Sequence, residues 1–430
     1  MNVFGFIKTI MKKEYNKYIS FALILLVAII ICFLFTDIID NPLLVGSDKA
    51  VGGGTWQEVD VPLSKVLPFV VIFLSWIMIF YASDFFLNNQ CDSFALLLLS
   101  GGSMFDVTKF VLMEIMFIFV IIVPVSLIIG TFLLEQIYVM IFAYLNIETE
   151  ISIVPLSYVN ILYSLFMILI VICVNVAGFS FRHTLQVLLG RAQEKKKVKI
   201  KKHSIASLLY FLVYISAIVI ILSQKHTLAA YILPTGFGFF GIYGILKNTV
   251  PKLVTIWKDK KGIEKQKLYI SLSNYVVSIQ GTFVFSMLIL ILICGLIPVL
   301  ISQDKMTNEY ITGLLCYVVI TILIVVSIVY KLLDIIMARY DEFLSLNRLG
   351  YINKELKSII FYEVFFYYMT IIVLPLPIVL SIGTRYIMNY DLTVMNLVTL
   401  VGIYTVPTLL SMIVTYIIYM KTMIKKGEKA

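Results

Sequence analysis

The chain has 430 residues, of which 61% are hydrophobic and 14% charged, with a formal net charge of +9. Its mean hydropathy is +1.00. A soluble domain is about 45–50% apolar by a similar count, so composition excludes an ordinary soluble protein and points to a polytopic membrane protein. The apolar runs are long and continuous, without the short alternating segments of a barrel, and they predict an all-α fold.

Met1 to Ser20 interleaves Val3, Phe4, Phe6, Ile7, Ile10 and Met11 with basic residues. It reads as an amphipathic helix on the inner membrane face, and no small-residue cleavage site follows it. Ten spans of about 20 residues are expected after it. Their limits are 19–37, 66–86, 107–134, 154–178, 206–223, 228–247, 280–302, 311–337, 358–384 and 394–420. The third, eighth, ninth and tenth runs exceed the minimum and are expected to tilt or project. The outer loops are short except for 38–65, which carries Gly52, Gly53, Gly54 and Trp56, and 135–153.

The spans group as 4 + 2 + 4. An N-terminal half (1–180) is followed by a basic linker (181–205), a hairpin (206–247), a basic linker with an interfacial helix (248–279) and a C-terminal half (280–430). The interfacial helix is expected over LYISLSNYVVSIQ, mirroring the N-terminal helix. In the sixth span Gly238, Gly241 and Gly244 recur at every third position, a small-residue face for close helix packing. With Gly236 they contain a literal G-x-G-x-x-G, but no strand precedes it, so dinucleotide binding is not implied. Pro124, Pro234, Pro298, Pro375 and Pro377 fall within spans.

Placing both termini in the cytoplasm puts 29 of the 34 Lys and Arg residues on the inner side. Only Lys49, Lys65, Lys225, Lys305 and Arg385 are then outside. The positive-inside rule favours this orientation and accounts for the net charge without a nucleic-acid partner. The outer segments carry Asp37, Asp40, Asp48, Glu58, Asp60, Glu135, Glu148 and Glu150, which would attract a cationic peptide. Low Arg and high Lys, Ile and Asn usage fits an AT-rich bacterial genome, hence a bacterial cytoplasmic membrane.

One signature occurs twice. Gln90–Glu114 and Arg339–Glu363 align with Gly101 over Gly350, an offset of 249 positions. Phe94 and Phe343, and Glu114 and Glu363, coincide at the same offset. Each copy follows one apolar run and leads into another. A helix over the second copy groups Phe343, Leu346 and Gly350, and leaves Arg339, Glu342 and Asn347 to face water or a partner. Gly350 is expected to end that helix in the left-handed conformation. A glutamate inside the following span is costly unless paired, and it is expected to hold the short helix to the membrane helix.

The pattern R-x-x-E-F-x-x-L-x-x-L-G, with Glu thirteen residues after the Gly, resembles the signature of FtsX-like, MacB-type ABC transporter permeases. The C-terminal copy matches at Arg339, Glu342, Phe343, Leu346, Leu349, Gly350 and Glu363. The N-terminal copy keeps Phe94, Leu97, Gly101 and Glu114, but has Gln90 for the Arg and Ser93 for the Glu. The layout is similar to the bacitracin-efflux-type branch, whose large extracellular domain after the seventh span is here only Ser302 to Tyr310. The resemblance implies that Phe94, Leu97, Gly101, Arg339, Glu342, Phe343, Leu346 and Gly350 couple to an ATPase, with Glu114 and Glu363 in support.

The chain has no G-x-x-x-x-G-K-[ST], so ATP and Mg would bind a separate cytoplasmic ABC ATPase, expected in two copies. His183, His203 and His226 are scattered, and the five cysteines lack metal-ligand spacing. The expected function is a non-enzymatic permease subunit that exports or removes an amphipathic substrate, such as an antimicrobial peptide, bacteriocin or lipid-linked molecule, at the outer leaflet. Membrane lipids are expected partners. The alternatives are an ion-coupled secondary transporter and a sensor that signals to a membrane histidine kinase.

Overall fold

A computed structural model describes residues 15–41, 63–99, 101–145, 154–182, 204–223, 228–261, 265–302, 308–388 and 393–427. The expected N-terminal amphipathic helix up to residue 14, the glycine-bearing outer loop and the basic segment 183–203 lie outside them. Among the described residues every regular element is a helix.

The first series is α1 (Tyr15–Asp40), α2 (Leu63–Asn89), the short α3 (Cys91–Leu99), α4 (Met104–Leu145) and α5 (Pro155–Arg182). The hairpin follows as α6 (Ser204–Ser223) and α7 (Leu228–Gly244), the latter passing through a π-turn, Ile245–Thr249, into α8 (Val250–Lys261). The last series is α9 (Gln266–Gly281), α10 (Phe283–Ser302), α11 (Asn308–Ala338), the short α12 (Tyr340–Arg348), α13 (Asn353–Val373), α14 (Leu376–Met388) and α15 (Val394–Gly427). Among the described residues, eight helical segments are long and apolar enough to cross a membrane, α13 and α14 counting as one. The first hairpin helix carries a shorter apolar run, Ser207–Ser223. The fold is thus that of an all-α, multi-pass membrane protein.

Two compact units emerge from the packing. One comprises Met1–Lys195 with Asp304–Leu323, the other Lys196–Gln303 with Ile324–Ala430, and the boundary falls inside α11. In the first unit α1 packs on α2, α4 and α5. Its Leu25, Ala28, Ile29, Cys32 and Phe33 are buried. Gly130 of α4 lets the Phe33 ring approach: a Cβ there would lie 2.9 Å from it. In the second unit α9 packs on α13, α13 on α15, and the hairpin against α10 and α14. The glycine face expected in the sixth span is present. A Cβ on Gly241 would meet the Tyr214 backbone at 2.8–2.9 Å. One on Gly244 would overlap the Tyr210 ring.

Two sequence limits are corrected. The third run does not end near 134: α4 continues to Leu145 as one 42-residue helix, roughly 63 Å long at 1.5 Å per residue. FLLEQIYVMIFAYL contains no Gly or Pro to stop it. Its far end is anchored, because the Tyr138 hydroxyl donates to the fully buried Asp37 carboxylate of α1. Asp37 also accepts the Val154 N–H at 3.2 Å. The ninth run is broken at Leu374–Pro375. Pro375 lacks the N–H that would bond the Ile371 carbonyl. The buried Tyr404 hydroxyl donates to that carbonyl instead, at 2.6 Å. Tyr214 of the hairpin donates to the Leu374 carbonyl at 2.7 Å. Pro124, Pro234 and Pro298 sit inside unbroken helices.

Candidate functional site: two equivalent helix–glycine–helix turns

Short helices α3 and α12 occupy the same place in the two copies of the signature, and both end the same way. Gly101 has φ +94° and Gly350 φ +95°. Among the described residues no other glycine has a positive φ. The Gly101 N–H donates to the Leu98 carbonyl and the Gly102 N–H to that of Leu97, each at 3.1 Å. The Gly350 N–H donates to the Asn347 carbonyl at 3.0 Å, and the Tyr351 N–H to that of Leu346 at 3.2 Å. Both are C-caps closed by a left-handed residue, the conformation in which a Cβ is penalised. The next helix is then capped by a carboxylate three residues past its N-cap. In the first copy the Ser103 hydroxyl and N–H donate to Asp106 Oδ2 at 2.6 and 2.9 Å. In the second the Ile352 N–H donates to Glu355 Oε2 at 3.3 Å.

The turns differ in how they are anchored. Glu363 of α13 is 2% exposed, and both its oxygens are occupied. Oε1 accepts from Arg339 Nη2 at 2.7 Å and from the Ser278 hydroxyl at 2.8 Å. Oε2 accepts from the Tyr419 hydroxyl at 2.9 Å. Arg339 is the N-cap of α12, Ser278 belongs to α9 and Tyr419 to α15. One carboxylate therefore ties the short helix to three longer ones. Burial opposes the Arg339 charge, but Glu363 beside it more than compensates and holds its pKa above the ordinary guanidinium value. Phe343, also buried, sets its ring edge-on to Tyr419 at 5.6 Å.

The first copy is built on the same plan without the arginine. Glu114 is fully buried and accepts from the Tyr18 hydroxyl of α1 at 2.8 Å. Phe94 meets Phe179 of α5 edge-on at 5.9 Å, as Phe343 meets Tyr419. Gln90 holds the position of Arg339 and is 1% exposed. Neither polar atom of its amide has a hydrogen-bond partner among the described residues. Phe179, standing where Tyr419 stands, has no hydroxyl to offer.

These placements correct one expectation. Arg339 does not face water or a partner; it is 7% exposed and its guanidinium is used inside the unit. Phe94 and Phe343 are buried, against α5 and α15 respectively. Leu97 and Leu346 are half-buried. The surface that α12 leaves open is formed by Glu342, Ser345, Asn347, Arg348 and Leu349, followed by Gly350. Leu349 is 77% exposed. Ser278, Tyr419, Tyr18 and Phe179 were not singled out by sequence reasoning; each lies far along the chain from the glutamate or phenylalanine it meets.

Among the described residues no group of three or more His, Cys, Asp or Glu is placed to hold a metal ion. No family model matches the chain, and no curated protein matches it.

Proposed function

We propose that the chain is the membrane subunit of an ABC transporter, with α3 and α12 as the elements that receive force from a separate pair of cytoplasmic ATPase subunits. The observation that carries this reading is the repeated turn. The same helix, left-handed glycine, carboxylate cap and buried glutamate recur 249 positions apart, each between two long apolar helices. A packing element needs no such duplication, whereas a device pushed by two equivalent subunits does. The signature's resemblance to FtsX-like, MacB-type permeases and the excess of Lys and Arg on one side favour the same assignment, in a 4 + 2 + 4 layout with both termini in the cytoplasm.

In this reading the buried groups transmit and the exposed groups receive. An ATPase surface presses on Glu342, Asn347 and Leu349. Through Arg339 and Glu363 the push reaches α9, α13 and α15 together. The substrate is an amphipathic peptide or lipid-linked molecule handled at the outer leaflet. In this reading catalysis belongs to the ATPase, which holds ATP and Mg.

Co-expression with the ABC ATPase subunits of the source organism tests the reading. Wild-type protein is expected to co-purify with them. The surface variant Glu342→Arg/Leu349→Asp is expected to lose the complex while keeping its own melting midpoint. Failure of the wild type to associate with any ATPase would overturn the proposal.

A further inference from the structure

The turn after α12 opens onto a cleft that shares only Leu349 and Gly350 with the proposed coupling surface. Its volume is about 770 Å3, and it lies between the start of α9 (Lys265 to Leu268), the turn itself (Leu349 to Tyr351) and the first turns of α13 (Glu355, Ser358 and Tyr362). We propose that this cleft binds the phosphate group of an anionic lipid headgroup. The proposal rests on the reading of α13 as a membrane-spanning helix.

Charge is the first argument. Lys265 and Lys267 line the cleft, and among the described residues the only carboxylate in its lining is Glu355. That carboxylate is already occupied. Oε1 pairs with Lys267 Nζ at 3.0 Å, and Oε2 accepts the Ile352 N–H. The pair is net neutral, so the net charge of the lining is that of Lys265, while Lys267 is held at the wall with ammonium protons left to donate. Lys354 and Lys357 are exposed on the same turns of α13 and add to the positive field.

The hydroxyls are the second argument. Tyr351, Ser358 and Tyr362 all line the cleft, and each carries a hydroxyl. Phosphate oxygens accept from ammonium and hydroxyl donors alike. The third argument is the setting. Leu349 and Ile352, at the turn, are 77% and 68% exposed, and Phe361 on α13 is 45% exposed. Apolar surface beside a cationic, hydroxyl-lined cleft at the end of a spanning helix suits a lipid, whose chains need an apolar neighbour, better than a soluble phosphate.

Binding is read by titrating the purified full-length protein in neutral detergent, without any ATPase. The probes are dioctanoyl phosphatidylglycerol, dioctanoyl phosphatidylcholine and inorganic phosphate. Phosphatidylglycerol is expected to bind at least about tenfold more tightly than phosphatidylcholine. Lys265→Gln/Lys267→Gln is expected to lower its affinity roughly tenfold or more, the scale of two lost lysine–phosphate attractions. Lys421→Gln, an exposed site on α15, is expected to leave it unchanged. If the double lysine variant does not fold, Tyr351→Phe/Ser358→Ala removes only hydroxyls and is expected to shift affinity in the same direction. An anionic preference unchanged in the cleft variants would overturn the proposal. So would an equal loss in Lys421→Gln, which would mean general surface charge. Inorganic phosphate binding as tightly as the lipid would replace the headgroup with a soluble anion. Because no ATPase is present, none of these outcomes depends on the coupling assignment.

Discussion

Glu363 sits where an isolated carboxylate is expensive, and the residues around it explain how it is kept. Arg339 brings the opposite charge, while Ser278 and Tyr419 fill the remaining acceptor sites. Removing one side of such a pair strands the other. Arg339→Ala is expected to cost about 3–5 kcal/mol, whereas Arg339→Met combined with Glu363→Leu is expected to be close to neutral. Thermal unfolding of the purified protein in detergent separates the two. The first copy offers the converse test. Gln90→Arg is expected to raise the melting midpoint in the wild-type background and lower it in a Glu114→Gln background, a sign change that a double-mutant cycle reads directly. At this scale the sequence showed the glycine and the glutamate, because their spacing is local to one turn and the helix after it. It did not show the partners. Ser278 lies 85 residues from Glu363 and Tyr419 lies 56 away, distances that only packing closes. Arg339 was misread for the same reason, since helical periodicity alone places a charged N-cap residue towards water.

Elements were legible where backbone chemistry decides them. The three-residue glycine rhythm of α7 marks its contact with α6, whereas the break between α13 and α14 was not legible: Pro375 lies there, but Pro124, Pro234 and Pro298 sit in unbroken helices. The far end of α4 was not legible. Its acidic Glu135 suggested a loop, whereas an uninterrupted run of helix formers and the Tyr138–Asp37 bond carry the helix on. The proline break also shows how a discontinuous membrane helix is made tolerable: side chains from neighbours take over the freed carbonyls. Tyr404→Phe leaves the Ile371 carbonyl buried without its donor. It is expected to destabilise the protein by about 1–3 kcal/mol, with α13 and α14 losing amide protection in hydrogen exchange before α4 does.

For the whole molecule, duplication is the organising fact. Each unit contains a long helix led into by a short one, with a left-handed glycine between them. Yet among the described residues only the second joins its short helix to the body through a buried ion pair. The two turns are therefore expected to pass on force unequally, with α12 the stiffer lever. In the proposed transporter the open face of α12 meets an ATPase on the cytoplasmic side. A photoreactive amino acid at Asn347, exposed on α12, tests this in intact cells of the source organism, with Met395, 71% exposed near the start of α15, as the control position. The expected result is an ATPase-containing product from position 347 and none from 395. An absence of ATPase product at 347, or capture there of a protein from outside the cytoplasm, would contradict the account.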